Sequence, residues 1–153
     1  MELESLKARN FSKETTSRSK EYALLNKLIQ ELQNRGLPPE VVINMNEEIV
    51  KLNLLANDQP KLLSHIKSAK NILLKIIKED LEIVPKNYYR NLWLALGMSA
   101  FGLPLGVVFS SLLDNTSFIA IGLPIGMGIG IALGTQMDKK AISENRQLDL
   151  EIN

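Results

Sequence analysis

Two long stretches without a charged residue constrain this chain more than any other feature. Leu92 to Leu113 and Phe118 to Met137 contain no Asp, Glu, Lys, Arg or His, and only residues 114–117 separate them. A helix needs roughly 20 mostly apolar residues to cross the hydrocarbon core of a bilayer. Both stretches reach that length, so we expect a transmembrane helical hairpin. The alternative is a buried soluble αα-hairpin, although soluble helices seldom run this far without a charge.

The charges are concentrated in the first part of the chain. Residues 1–90 hold 15 of the 18 Lys and Arg and 12 of the 17 Asp and Glu. This balance is too weak and too mixed to indicate a nucleic-acid partner. The first residues are charged and lack an apolar core, so we expect no cleavable signal peptide.

The basic residues around the apolar stretches predict their orientation. Lys86 and Arg90 precede the first stretch, and Lys139, Lys140 and Arg146 follow the second, whereas the connecting loop has no basic residue. Basic residues favour the cytoplasmic side of a membrane. We therefore expect both termini to be cytoplasmic.

The polar N-terminal part predicts three helices. Apolar residues at helical spacing fall on one face in each: Tyr22, Leu25, Ile29 and Leu32, then Val42, Met45, Ile49, Leu52 and Ala56, then Ile66, Ala69, Leu73 and Ile76. Gly36 suits a left-handed helix end, and Pro39 suits a first helical turn. Short connections favour a three-helix bundle, although the same stripes are compatible with an intermolecular coiled coil.

The predicted fold class is therefore all-α, with a cytoplasmic three-helix bundle followed by a transmembrane helical hairpin. Its predicted parts are a cytoplasmic helical domain over 1–86, in which 1–16 is a candidate for disorder, a hairpin over 87–138 with spans at about 92–113 and 118–137, and a cytoplasmic tail over 139–153.

Small residues recur inside both apolar stretches and predict close helix packing. The candidate packing residues are Ala95, Ser99, Gly102, Gly106 and Ser110 in the first stretch and Gly122, Gly126, Gly130 and Gly134 in the second. Membrane helices gain little from hydrophobicity when they associate, so small residues that let backbones approach become important. The pattern is compatible with packing within one hairpin and with packing between protomers.

The two stretches also share a Gly-Leu-Pro-x-Gly motif, at 102–106 and at 122–126. Pro104 and Pro124 each remove a backbone N–H, so we expect a kink at each proline. Paired broken helices form binding sites in some transporters, which is the alternative interpretation. The stretches, however, lack the ionisable residues that usually mark ion routes.

Aromatic residues cluster where the first stretch begins. Tyr88, Tyr89 and Trp93 lie within six positions. Amphipathic rings favour the headgroup level of a bilayer, so we expect an interfacial anchor. The alternative is an aromatic ligand site.

Three segments together resemble small, uncharacterised bacterial membrane proteins with two spans and glycine-zipper-like helices. They are residues 87–93, residues 122–130 and residues 137–141. The resemblance covers roughly the C-terminal half and implies a protein of the bacterial inner membrane. It supplies no active-site residue.

No catalytic constellation is visible in the sequence. There is no Cys, and His65 is the single histidine. The glycines from Gly122 to Gly134 lack the Lys-Ser or Lys-Thr of a phosphate loop. We therefore expect a protein that is not an enzyme and has no metal site and no cofactor.

The leading hypothesis is a homo-oligomeric, membrane-anchored interaction or scaffold module, with a cytoplasmic protein as a candidate partner. The alternative is an oligomeric pore or membrane-permeabilising effector controlled by the cytoplasmic domain.

Residues 147–152 alternate polar and apolar side chains, as a half-buried strand does. An isolated strand is not stable, so we expect this tail to be mobile until it meets a partner.

Overall fold

The computed structural model describes residues 2–11, 17–57 and 60–152. It forms two compact units, Met1–Ile83 and Val84–Asn153. The helices are α1 Ser17–Gln33, α2 Pro39–Asn53, α3 Leu62–Leu81, α4 Tyr88–Gly97, α5 Leu103–Leu112 and α6 Ile119–Ser143, with a π-helical turn at Met98–Gly102 and a 3₁₀ turn at Thr116–Phe118. Within the described ranges β-structure is limited to one bridge between Val84 and Gln147. The all-helical prediction is confirmed.

Large apolar side chains form the core of the first unit. The predicted faces of α1 and α2 are buried, except that Ala56 lies beyond the end of α2 and is exposed. In α3 the last residue of the buried face is Ile77, whereas the predicted residue, Ile76, is half-buried. Pro39 occupies the first turn of α2, and Gly36 has the expected left-handed conformation, with a φ of 60°.

Helix α3 lies against both α1 and α2. One of its lysines is part of this packing, because Lys70 is only 5% exposed and its Nζ donates to Glu21 Oε2 at 2.7 Å. Lys67 lies 4.0 Å from the other carboxylate oxygen of Glu21. One carboxylate of α1 therefore lies against two lysines of α3.

The N-terminal residues differ from the sequence expectation. Residues 2–11 are extended and lie along α1 and α2, with Leu3 buried and several side chains of the two helices bonded to their backbone. The candidate disorder over 1–16 is thus wrong for 2–11, because side-chain amides satisfy the backbone groups of a segment with few apolar residues. Residues 12–16 lie outside the described residues.

Two long apolar helices form most of the second unit. They run over Tyr88–Leu112, where the π turn joins α4 to α5, and over Thr116–Ser143. Both are long and apolar enough to cross a membrane, which agrees with the predicted spans. Only 17% and 22% of their most apolar windows are buried, whereas a core helix of a soluble protein is mostly buried. This burial favours a membrane hairpin over a soluble one.

Candidate functional site: the hairpin interface and its buried aspartate

The two long helices of the second unit meet through backbone rather than through large side chains. The glycines of α6 that are buried recur every fourth residue, at Gly122, Gly126, Gly130 and Gly134. A Cβ atom added at Gly122 would lie 2.6 Å from Gly106 Cα, and one at Gly134 would lie 2.6 Å from Arg90 Cα. Real Cβ atoms essentially never come within 3.0 Å of such an atom. Any side chain at these glycines would therefore push the helices apart.

The other helix presents Gly97, Gly102 and Gly106 to this row. Added Cβ atoms would lie 2.8 Å from Gly130 Cα at Gly97 and 3.0 Å from Ile119 Cα at Gly106. The step from Gly97 to Gly102 is five residues. At about 100° per residue, an α-helix would turn Gly102 about 140° away from the interface. The π turn at Met98–Gly102 takes up the extra residue and keeps both glycines on one face.

This register changes the set of packing residues in the first helix. Ala95 and Ser99 are exposed, and Ser99 Oγ donates to carbonyls of its own helix, at 3.1 Å to Ala95 and 3.2 Å to Leu96. Ser110 is half-buried. Ala95 and Ser99 therefore lie outside the interface within the hairpin, because the π turn changes the register that a uniform α-helix would have. A role for them between protomers stays a prediction.

The repeated Gly-Leu-Pro-x-Gly motifs face each other across the hairpin. A Cβ at Gly102 would lie 3.1 Å from Leu123 Cα, and one at Gly126 would lie 2.5 Å from Gly102 Cα. At such distances Cα–H groups contact carbonyl oxygens, and dispersion acts between the two backbones. The inverted pair of motifs is thus part of the packing surface.

Both motif prolines lie on the outer side of the hairpin. Pro104 and Pro124 are exposed. Pro104 stands in the first turn of α5, directly after the π turn, and Leu103 N–H bonds to Met98 C=O. Pro124 lies inside α6. The π turn is the backbone irregularity at Pro104, and a kink at Pro124 stays a prediction.

The three predicted anchor residues lie at the start of α4. Tyr88, Tyr89 and Trp93 are half-buried. The rings of Tyr88 and Tyr89 meet edge to face, with centroids 5.2 Å apart. Half-buried amphipathic rings suit a position at a bilayer surface.

The row of buried glycines in α6 ends on a carboxylate, which sequence reasoning missed. Asp138 follows Gly134 by four residues and is only 6% exposed. Its Oδ2 accepts from Arg90 N–H at 2.9 Å, and its Oδ1 accepts from Tyr89 N–H at 3.1 Å. These N–H groups belong to the first turn of α4, which has no side-chain cap of its own. Asp138 therefore caps α4 from the facing helix, where negative charge is favoured.

The same aspartate also contacts the C-terminal tail, since Gln147 Nε2 donates to Asp138 Oδ1 at 3.2 Å. The tail then pairs with the residues before α4. Val84 N–H donates to Arg146 C=O and Leu148 N–H to Val84 C=O, both at 2.9 Å.

The structure contradicts the expectation of a mobile tail. Lys86 N–H donates to Leu150 C=O at 3.0 Å, and Leu148 is only 1% exposed. The alternating pattern of the tail was the correct signal for pairing. Its partner is the segment before α4 in the same chain.

The arrangement is a packing site with one buried charge, and it brings together the predicted glycines of both helices. The glycines recur every fourth residue, and Asp138 is the next position in that series. This spacing is the sequence signal that identifies the buried aspartate. No family model, no curated protein and no solved structure matches the chain. The resemblance to bacterial two-span membrane proteins therefore stays a prediction.

Proposed function

We propose that this protein is a membrane-anchored interaction module without enzymatic activity. The hairpin inserts into the inner membrane of a bacterium with both termini in the cytoplasm, and the three N-terminal helices form a cytoplasmic binding bundle. The observation that carries the proposal is the distribution of side chains in the hairpin. Glycine backbone fills its inside, and uncharged apolar side chains cover its outside.

A bilayer explains this distribution better than water does. Val107, Val108 and Leu112 are each more than half exposed, although they belong to the most apolar part of the chain. Such a surface is costly in water and favourable in lipid. Close backbone contacts are what holds membrane helices together where hydrophobicity cannot.

Homo-oligomerisation would use the outer surface of the hairpin, because its glycine rows are occupied within the hairpin. Ala95, Ser99 and Gly128 are small and exposed, and no heavy atom lies within 4 Å of a Cβ built at Gly128. We prefer the module to the pore of the alternative hypothesis. A water-filled lumen needs a polar lining, and Ser99 already directs its hydroxyl to its own backbone.

Topology is the first test. Reporter proteins fused after Asn153 and inserted within residues 114–117 should report the cytoplasm and the periplasm, respectively. A C-terminal reporter in the periplasm would overturn the proposed orientation. Recovery of the full chain in the soluble fraction would overturn membrane insertion.

Crosslinking in isolated membranes tests the oligomer. The chain has no Cys, so single substitutions give a clean signal. Ala95→Cys and Gly128→Cys should give disulfide-linked dimers, with Leu103→Cys, at an exposed leucine of the long helix that contains Ala95, as the control. Equal crosslinking at all three positions would indicate random collision and would remove the homo-oligomer. Ion conductance of the reconstituted protein would favour the pore.

A further inference from the structure

The extended residues 2–11 are held in the manner of a bound peptide. Asn46 on α2 donates from Nδ2 to Glu2 C=O at 3.1 Å, and its Oδ1 accepts from Glu4 N–H at 2.8 Å. One side-chain amide thus pairs with both backbone groups that flank Leu3. Such pairing recognises an extended main chain and not a particular sequence.

A second asparagine repeats this pairing farther along α2. Asn53 Nδ2 donates to Ser5 C=O, and Asn53 Oδ1 accepts from Lys7 N–H, both at 2.9 Å. Asn53 follows Asn46 by seven residues, which span about 10.5 Å along an α-helix. Three residues of polyproline II span about 9.3 Å. The spacing on the helix is therefore close to the length of three residues of extended chain.

Burial along residues 2–10 shows the same period of three. Leu3 is buried, Leu6 and Arg9 are half-buried, and the residues between them are exposed. A polyproline II helix has three residues per turn, so every third side chain faces the same way. The surface formed by α1 and α2 thus contacts the side chains of Leu3, Leu6 and Arg9.

Helix α1 adds contacts on the other side of the segment. Gln33 Nε2 donates to Leu3 C=O at 2.9 Å, and Tyr22 Oη donates to Lys7 C=O at 2.6 Å. Burial raises the pKa of the Tyr22 hydroxyl, which keeps it in the donating form. Both helices therefore bind the backbone, and α1 and α2 together form a groove.

Arg9 is the last residue of this period-three pattern, and its guanidinium makes contacts of its own. Arg9 Nη1 donates to Asn57 Oδ1 and Arg9 Nη2 to Leu52 C=O, both at 2.7 Å, while its guanidinium lies 5.6 Å from the centre of the Tyr22 ring. The fit is incomplete, however, because Arg9 Nε is buried without a hydrogen-bond partner.

The groove is also wider than its occupant. A cleft of about 530 Å³ lies between residues 5–11 and α1 and is bordered by Tyr22 and Ile29. Another cleft, of about 510 Å³, adjoins Leu3 and is bordered by Leu32 and Val42. Apolar side chains larger than leucine at the two leucine positions would enter these clefts and bury more area.

We propose that the α1–α2 groove is a docking site for an extended segment of a partner protein. The partner carries large apolar residues three positions apart and an arginine three positions later. Residues 2–11 occupy the groove as an intramolecular placeholder that the partner displaces. This inference deepens the proposed function by naming its class of partner, and it rests on that function.

Two fluorescent decapeptides test the proposal on the full chain in detergent. One copies residues 2–11, and the other carries Leu3→Phe and Leu6→Phe. We expect the phenylalanine peptide to bind about tenfold more tightly, because it buries more apolar area. Fluorescence anisotropy measures both affinities. Tighter binding of the copy, with exchange of segments into dimers, would overturn the partner and assign the groove to a second copy.

A reversible lock shows whether the placeholder competes. Gln33 Nε2 lies 3.4 Å from Ser5 Oγ, so Ser5→Cys and Gln33→Cys place two thiols within reach of a short bifunctional methanethiosulfonate, which crosslinks them and holds the segment in place. Because the chain has no other Cys, reductant reverses this lock alone. The locked chain should lose peptide binding and regain it on reduction. Equal binding in both states would overturn the groove.

The asparagines provide the matched comparison. In a chain whose placeholder is weakened by Leu3→Ser and Leu6→Ser, Asn46→Ala with Asn53→Ala removes the backbone recognition of the peptide and should weaken its binding about tenfold or more. Asn44→Ala changes an exposed asparagine on the same helix and should leave binding unchanged. Unchanged binding in the double variant, with a normal circular dichroism melt, would overturn the proposal. No peptide assay involves the bilayer and no reporter assay involves the groove, so the two proposals fail separately.

Discussion

The first unit and the hairpin of the second unit bury opposite kinds of residue. Leu25, Leu28 and Leu32 of α1 are completely buried, as the core of a protein in water requires. In the hairpin most of the buried positions belong to glycines, and a large residue such as Leu112 is 75% exposed. The first arrangement is favourable in water, and the second would be favourable in lipid. Water drives large apolar groups together, whereas lipid does not, and there close backbone packing decides.

We expect the largest effect from substitutions that break the glycine packing of the hairpin. Gly126→Leu with Gly130→Leu places side chains where even a Cβ has no room, at 2.5 Å from Gly102 Cα and 2.8 Å from Trp93 C, respectively. Overpacking typically costs about 1–3 kcal/mol per site, so we expect a loss of about 2–6 kcal/mol for the pair. Thermal denaturation in detergent measures it.

The chain offers a matched control for this prediction. Gly128 lies on the same helix, and a Cβ there meets nothing within 4 Å. Gly128→Leu should therefore leave the packing within the hairpin nearly unchanged, although it should lower the crosslinking between protomers, and Ile129→Ala on the exposed side should change neither. If all variants melt alike, the glycine rows do not hold the hairpin together.

The complementary change removes volume from the first unit. Leu73 of α3 is completely buried, so Leu73→Ala should lower the stability of this unit by about 2–5 kcal/mol. Leu54→Ala, at a residue 81% exposed, is the control and should change little. Denaturant unfolding followed by circular dichroism measures both. A larger effect at Leu54 would mean that this exposed leucine is covered by a partner.

The sequence predicted the parts of the fold that depend on local periodicity. The apolar faces of α1 and α2, the left-handed Gly36 and the early Pro39 all follow from spacing and backbone preference. Helix spacing also predicted the last position of the buried face of α3 to within one residue, since Ile77 is buried and the predicted Ile76 lies beside it.

The features that the sequence did not predict depend on contacts across the fold. A π turn shifts the register of the first long helix, so Gly97 replaces Ala95 and Ser99 in the interface. The order of residues 2–11 arises from amide side chains more than 40 residues away, such as Asn46. Neither feature leaves a periodic apolar pattern.

We expect an intermediate effect at Asp138, where the row of buried glycines in α6 ends. Asp138→Ala removes the acceptor for the backbone N–H groups of Tyr89 and Arg90. Leaving buried donors unpaired costs about 1–3 kcal/mol, which we expect the hairpin to lose. Asp138→Asn keeps one acceptor oxygen and should lose less. Faster amide exchange at Tyr89 and Arg90 should accompany the loss, whereas Glu151→Ala, at an exposed carboxylate, should change neither quantity.

The smallest expected effect separates backbone pairing from surface charge in the tail. Lys86 Nζ lies 3.2 Å from Asp149 Oδ1, but the two side chains are 50% and 92% exposed. Exposed ion pairs contribute about 0–1 kcal/mol, so Lys86→Ala should leave the stability of the hairpin almost unchanged. The backbone bond from residue 86 to Leu150 and that from Leu148 to Val84 do not depend on the lysine side chain. Hydrogen exchange should therefore show the amides of residues 86 and 148 equally protected in the natural chain and in the variant. Loss of protection in Lys86→Ala would mean that charge, and not burial of Leu148, holds the tail.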